Sequence, residues 1–118
     1  MNTFVCYDKC GTCRKAKKWM DEHGIEYEVR PIKEENPSEE ELREWIPKSG
    51  LPVKKFFNTS GQLYRSMGMK DKLPSMTEDE VISLLASDGM LVKRPIFISD
   101  GKVLVGFKEA EWEDKLLP

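Results

Sequence analysis

The chain has one histidine, three cysteines and no long apolar run in its 118 residues. A membrane-spanning helix needs roughly 20 consecutive apolar residues, and no segment approaches that, so no association with membrane is expected. Neither sign of charge dominates: 19 Lys and Arg stand against 21 Asp and Glu, a formal net charge of -2. Composition therefore gives no reason to expect direct nucleic-acid binding. The first residues lack a basic stretch, an apolar stretch and a small-residue cleavage site, so no secretory leader is expected. An odd cysteine count, with two of the three in one tight motif, does not suit a secreted disulfide framework. It suits a reducing compartment, and a cytoplasmic location is expected. A zinc site would need four ligands, and beyond the paired cysteines only Cys6 and His23 are on offer, so no metal is expected.

What the chain does have is Cys10-Gly11-Thr12-Cys13, a few residues after the short apolar segment Thr3 to Cys6. The residues that follow, Arg14 to His23, read as a helix closed by Gly24. A C-x-x-C pair between a strand and the first turn of a helix is placed for reversible thiol–disulfide chemistry. Backbone N–H groups at a helix start are unpaired and partly positive, so they stabilise a thiolate. The second cysteine lies one turn further on, within reach of a mixed disulfide formed by the first. Cys10 is thus read as the nucleophile and Cys13 as the resolving thiol of a redox-active centre that closes as a disulfide bond. Cys6 lies in the apolar strand, where free cysteine behaves as a small hydrophobe.

The order of elements follows from periodicity and punctuation. Asn2 to Cys6 reads as a buried strand and Gly11 to His23 as a helix with Ala16, Trp19 and Met20 on one face. Glu26 to Arg30 alternates as a half-buried strand does, ending near Pro31. Ser38 caps a second helix with Glu41 in capping-box position; Leu42, Trp45 and Ile46 face inward, and Pro47 with Gly50 ends it. From Leu51 to Met90 further short helices are expected, one carrying Phe56 and Phe57, one over Leu63 to Met67, and one capped by Thr77 with Val81, Leu84 and Leu85 on a face. Pro95 to Ile98 and Lys102 to Val105 are β-rich runs joined through Asp100-Gly101, a hairpin signal, and a last helix spans Lys108 to Leu116. The order is β-α-β, an all-helical block, then β-β-α, with no repeat or linker, hence an α/β fold and one domain over residues 1–118.

Three blocks resemble a known family: Cys10-Gly11-Thr12-Cys13-Arg14-Lys15-Ala16, Leu91-Val92-Lys93-Arg94-Pro95-Ile96, and Leu104-Val105-Gly106-Phe107. They resemble the arsenate reductase (ArsC) family of the glutaredoxin type and its Spx-like relatives. The resemblance implies a thioredoxin-like fold with a mixed sheet and a helical insertion, here about residues 36–90. It implies an enzyme, a thiol–disulfide oxidoreductase acting on arsenate or a related small-molecule oxyanion or disulfide. Cys10 attacks the substrate, Arg94 binds the anion, and Pro95 is expected to be cis beside the cysteine. No bound cofactor is implied; glutathione, glutaredoxin or thioredoxin serves as external reductant. Two further arginines of true arsenate reductases are absent, their positions falling at Asn58 and near Gly106. Gly11, Thr12, Arg14 and Lys9 surround the cysteines and are candidate anion-binding residues, through the helix start or through charge. The Spx branch implies a second reading, a redox-sensing regulator that contacts the RNA polymerase α subunit near Gly50.

Overall fold

Short β-branched and aromatic runs with small or polar punctuation give the described residues four strands, none longer than four residues. The structure is a computed structural model and describes residues 2–118. By internal contacts the chain falls into two compact units: the chain up to Pro31 together with Arg94–Pro118, and Ile32–Lys93.

The first unit is a four-stranded mixed sheet in the order β2-β1-β3-β4. Strand β1 (Thr3–Cys6) pairs in parallel with β2 (Glu28–Pro31) and antiparallel with β3 (Ile96–Ser99), which pairs antiparallel with β4 (Lys102–Val105). Helix α1 (Gly11–Glu22) makes the crossover that parallel pairing requires, and α6 (Glu109–Leu116) follows β4. The β3–β4 turn places Asp100 at φ 39° and Gly101 at φ 82°, the two positive values an Asp-Gly hairpin turn supplies. Cys13, Ala16, Trp19 and Met20 bury one stripe of α1 against Phe4, Phe97, Leu104 and Trp112. Trp112 meets Trp19 edge-on at 6.1 Å and Phe107 at 5.0 Å, and its Nε1–H donates to the Gly106 carbonyl over 3.1 Å.

One expectation for this unit fails. Val29 was to lie on the covered face of a half-buried strand, yet it is 50% exposed. Strand β2 is the edge of the sheet. Alternation reports which residues share a face, not whether anything covers it. Tyr27, just before the strand, is half-buried, edge-on to Phe4 with its hydroxyl donating to Asp21 over 2.9 Å. The strand ends at Pro31, opposite Cys6, as expected, a place that an edge permits a proline.

The second unit is helical: α2 (Glu39–Ser49), α3 (Gln62–Ser66), α4 (Met69–Lys72) and α5 (Glu78–Ser87), with short 3-10 turns between. Ser38 and Thr77 both form full capping boxes, with Glu41 and Glu80. Arg43 on α2 pairs with Asp79 on α5 at 3.0 Å, and Leu42, Trp45, Ile46, Val81, Ile82 and Leu85 are buried. Ile82, not Leu84, completes the buried face of α5, and Pro47 sits inside the last turn of α2 instead of ending it. Phe57 forms an isolated bridge with Val92. Gly89 is obligatory: a Cβ there would stand 1.9 Å from the Ile32 carbonyl oxygen. The helical unit thus runs a few residues past the expected insertion on each side. Among the described residues no helix is long and apolar enough to cross a membrane.

Candidate active site

The chain leaves β1 at Cys6, turns through Tyr7-Asp8-Lys9, and enters α1 with Cys10 as its N-cap in extended backbone, φ -95° and ψ 121°. Two backbone bonds hold this turn: the Cys10 N–H donates to the Tyr7 carbonyl at 3.0 Å, and the Arg14 N–H to the Cys10 carbonyl at 3.1 Å. Cys10 is therefore half-buried at the mouth of the helix, and Cys13, one turn in, is buried. The Tyr7 N–H donates to the Cys13 sulfur over 3.4 Å. All three cysteines are free thiols.

The two paired thiols differ in acidity. Burial alone would raise Cys10, but the Cys13 N–H, the Cys13 thiol, the Arg94 guanidinium and the Thr12 N–H outweigh it, and its pKa is lowered. As a neutral thiol Cys10 makes no side-chain capping bond; the helix-start N–H groups favour it once it is charged, because a thiolate accepts far better than a thiol. Cys13 is pushed up to about 12, first by burial, then by the thiol and charge of Cys10, against the pull of the Tyr7 N–H. Cys6 is raised, chiefly by burial, with Lys17 opposing.

Arg94 lies two residues before β3, and the Arg94–Pro95 peptide is cis. The guanidinium lies 5.0 Å from the centroid of the Tyr7 ring. Its Nε and Nη1 are buried without a hydrogen-bond partner, donors that an incoming anion would satisfy. Pro95 is buried, and its carbonyl accepts from the Gly106 N–H at 2.8 Å.

The remaining predicted residues are less central. Gly11 and Thr12 are exposed at the helix start, and Thr12 contributes its backbone N–H. Arg14 is exposed and its Nε donates to the Asp8 carbonyl at 3.2 Å, so it braces the turn before Cys10. Lys9 is exposed beside Cys10. His23 bonds the Trp19 carbonyl through Nδ1 at 2.8 Å and lies on the Trp19 ring, at the end of α1. Among the described residues no group of three His, Cys, Asp or Glu could hold a metal ion. Gly106, where the resemblance expects an arginine, is locked at φ 75° between Pro95 and Trp112. Asn58 serves its own loop, its N–H donating to the Leu91 carbonyl at 2.8 Å and its Oδ1 accepting from Ser60. Sequence reasoning missed Tyr7. Only its position between strand and C-x-x-C marked it.

A mixed sheet with a dithiol where its first strand meets its first helix, and a cis-proline before the third strand, defines a thioredoxin-fold dithiol protein. The chain belongs to the ArsC family, whose profile matches residues 6–115. It is 58% identical to the uncharacterized protein YusI of Bacillus subtilis over 95% of each chain. It is 30% identical to the regulatory protein MgsR of the same organism, over 92% of this chain and 85% of MgsR. Among solved structures, a protein related to the ArsC family from Bacteroides fragilis matches with a TM-score of 0.94 and 57% identity, covering 96% of this chain and 95% of that one. A possible arsenate reductase from Streptococcus mutans matches with a TM-score of 0.87 and 49% identity, over 97% and 96%.

Proposed function

We propose that this protein is a thiol–disulfide oxidoreductase in which Cys10 is the nucleophile and Cys13 the resolving thiol. The observation that carries the reading is the placement of two thiols one helical turn apart, Cys10 half-buried at the mouth of α1 and Cys13 buried behind it, in surroundings that lower the pKa of the outer thiol and push that of the inner one up to about 12. The Cys10 thiolate attacks a sulfur of a disulfide substrate, forming a mixed disulfide and releasing the first thiolate. With arsenate it forms a sulfur–arsenic bond, and an arsenate oxygen that takes up a proton from solvent leaves as water. Either event removes the negative charge at Cys10, one of the causes that hold the Cys13 proton in place. Cys13 then gives up that proton and attacks the Cys10 sulfur. The second thiolate departs, or two electrons pass to arsenic and arsenite departs, leaving a Cys10–Cys13 disulfide. An external thiol reductant (thioredoxin, glutaredoxin or glutathione) reduces it, so the work belongs in a reducing compartment such as the cytoplasm. Arg94, with two buried nitrogens that lack a partner, is the residue that meets an anionic substrate.

The test is arsenate-dependent NADPH oxidation, run once with glutathione, glutaredoxin and glutathione reductase and once with thioredoxin and its reductase. Turnover that vanishes in Cys10→Ser is the result expected if arsenate is the substrate. No turnover in either system, with a Cys10–Cys13 disulfide still forming under oxidant, moves the substrate to a disulfide. Full activity in Cys10→Ser contradicts the assignment.

The likeness to the regulatory protein MgsR favours a second reading, a regulator; the Spx-like resemblance makes that a redox sensor binding the C-terminal domain of the RNA polymerase α subunit. Gly50 ends α2 in the left-handed region, followed by Leu51, 38% exposed, and the exposed Lys54 and Lys55. A pull-down with that domain, under reducing and oxidising conditions, discriminates; no binding in either state removes the regulator.

A further inference from the structure

The guanidinium of Arg94 has two buried nitrogens without a partner and lies 5.0 Å from the centroid of the Tyr7 ring. A carboxylate in the place of that ring would grip the cation more firmly, but it would cancel the charge and occupy the N–H groups. A π face does neither. It attracts the cation through the ring quadrupole and leaves the in-plane donors free. We propose that Tyr7 is the positioning residue of this site: its ring holds the Arg94 guanidinium beside Cys10 with its charge and donors kept for an anionic substrate.

Tyr7 is placed to do this because its backbone is fixed at both thiols. Its carbonyl accepts from the Cys10 N–H at 3.0 Å, and its N–H donates to the Cys13 sulfur at 3.4 Å. These backbone bonds survive any change of side chain, so substitutions at Tyr7 isolate the ring. The hydroxyl has no part in the proposal, and Phe should serve as well as Tyr. The proposal rests on the reading of Arg94 as the cation at Cys10, and it states what keeps that cation there. The lowered pKa of Cys10, to which Arg94 contributes, provides a readout independent of turnover.

The experiment is the pH profile of Cys10 alkylation by iodoacetamide, followed by peptide mass, with protection by inorganic phosphate measured alongside. Tyr7→Phe should keep the wild-type midpoint. Tyr7→Leu should move it upward by about one pH unit, near a tenfold loss of rate on the acid limb, and weaken phosphate protection. Arg94→Ala should do the same, and Tyr7→Leu added to Arg94→Ala should change nothing further. If Arg94→Ala raises the midpoint and Tyr7→Leu does not, the positioning role is overturned while the Arg94 reading stands. If neither moves it, the Arg94 reading itself falls. An equal shift from Tyr7→Leu with and without Arg94 also overturns the proposal, since the ring then acts directly on the thiols. Should Tyr7→Leu fail to fold, 3,5-difluorophenylalanine at position 7 keeps the shape and drains the ring face. It should raise the midpoint, and an unmoved midpoint overturns the proposal.

Discussion

The N–H of Tyr7 points at the sulfur of Cys13, 3.4 Å away, so the first residue past β1 holds the inner thiol of the pair. Burial and the neighbouring Cys10 raise the pKa of Cys13 against the pull of that N–H, and set the two paired cysteines apart. On the proposed reading the outer thiol attacks first and the inner one resolves.

Alkylation should separate them cleanly. Cys10, with its lowered pKa, is a thiolate at pH values where a free thiol is still protonated, and its reaction with iodoacetamide should begin at lower pH. Cys13, pushed up to about 12, should stay unlabelled through pH 9 in the folded protein. Labelling of both at equal rates, read by peptide mass, contradicts the assignment of roles.

Arg94 should contribute nothing to stability. Two buried donors without partners cost about 1–3 kcal/mol each, and a cation over an aromatic face returns about 0.5–2 kcal/mol. Arg94→Met should therefore leave the urea midpoint unchanged or raise it, while it weakens phosphate protection of Cys10. A loss of more than about 2 kcal/mol would mean that the arginine is structural.

Trp112 should matter for stability. It is fully buried among Trp19, Phe97 and Phe107, and its Nε1–H caps the Gly106 carbonyl at 3.1 Å. Trp112→Ala should cost about 3–5 kcal/mol by urea denaturation. Trp112→Phe should cost less but leave the buried Gly106 carbonyl without that donor. An effect of Trp112→Ala below about 1 kcal/mol would contradict this account of the core.

Gly89→Ala should destabilise the helical unit severely. The added methyl would stand 1.9 Å from a backbone oxygen of Ile32, which no side-chain rotation relieves. A melting temperature equal to that of the unsubstituted protein contradicts the packing described around Gly89.

Local chemistry made much of this legible from sequence. Ser38 with Glu41, Thr77 with Glu80, and Asp100-Gly101 are signals whose partners lie within a few residues, and each marks its element. The dithiol was equally plain, because Cys10 and Cys13 share one helical turn. What stayed hidden depends on contacts between distant residues. Val29 looks like a core residue until the sheet order puts β2 at an edge. Ile82 rather than Leu84 faces inward because the orientation of α5 is set by what packs on it. Tyr7 and Arg94 lie far apart in sequence, and no local pattern announces that one ring carries the other's charge.

The most direct test of the central claim is intact-mass analysis after reaction with glutathione disulfide. The unsubstituted protein should lose two hydrogens as Cys10 and Cys13 join. Cys13→Ser should instead retain one glutathione on Cys10, and Cys10→Ser should show neither product. A glutathione adduct of equal yield on Cys10→Ser, or none on Cys13→Ser, would contradict Cys10 as nucleophile and Cys13 as the thiol that resolves it.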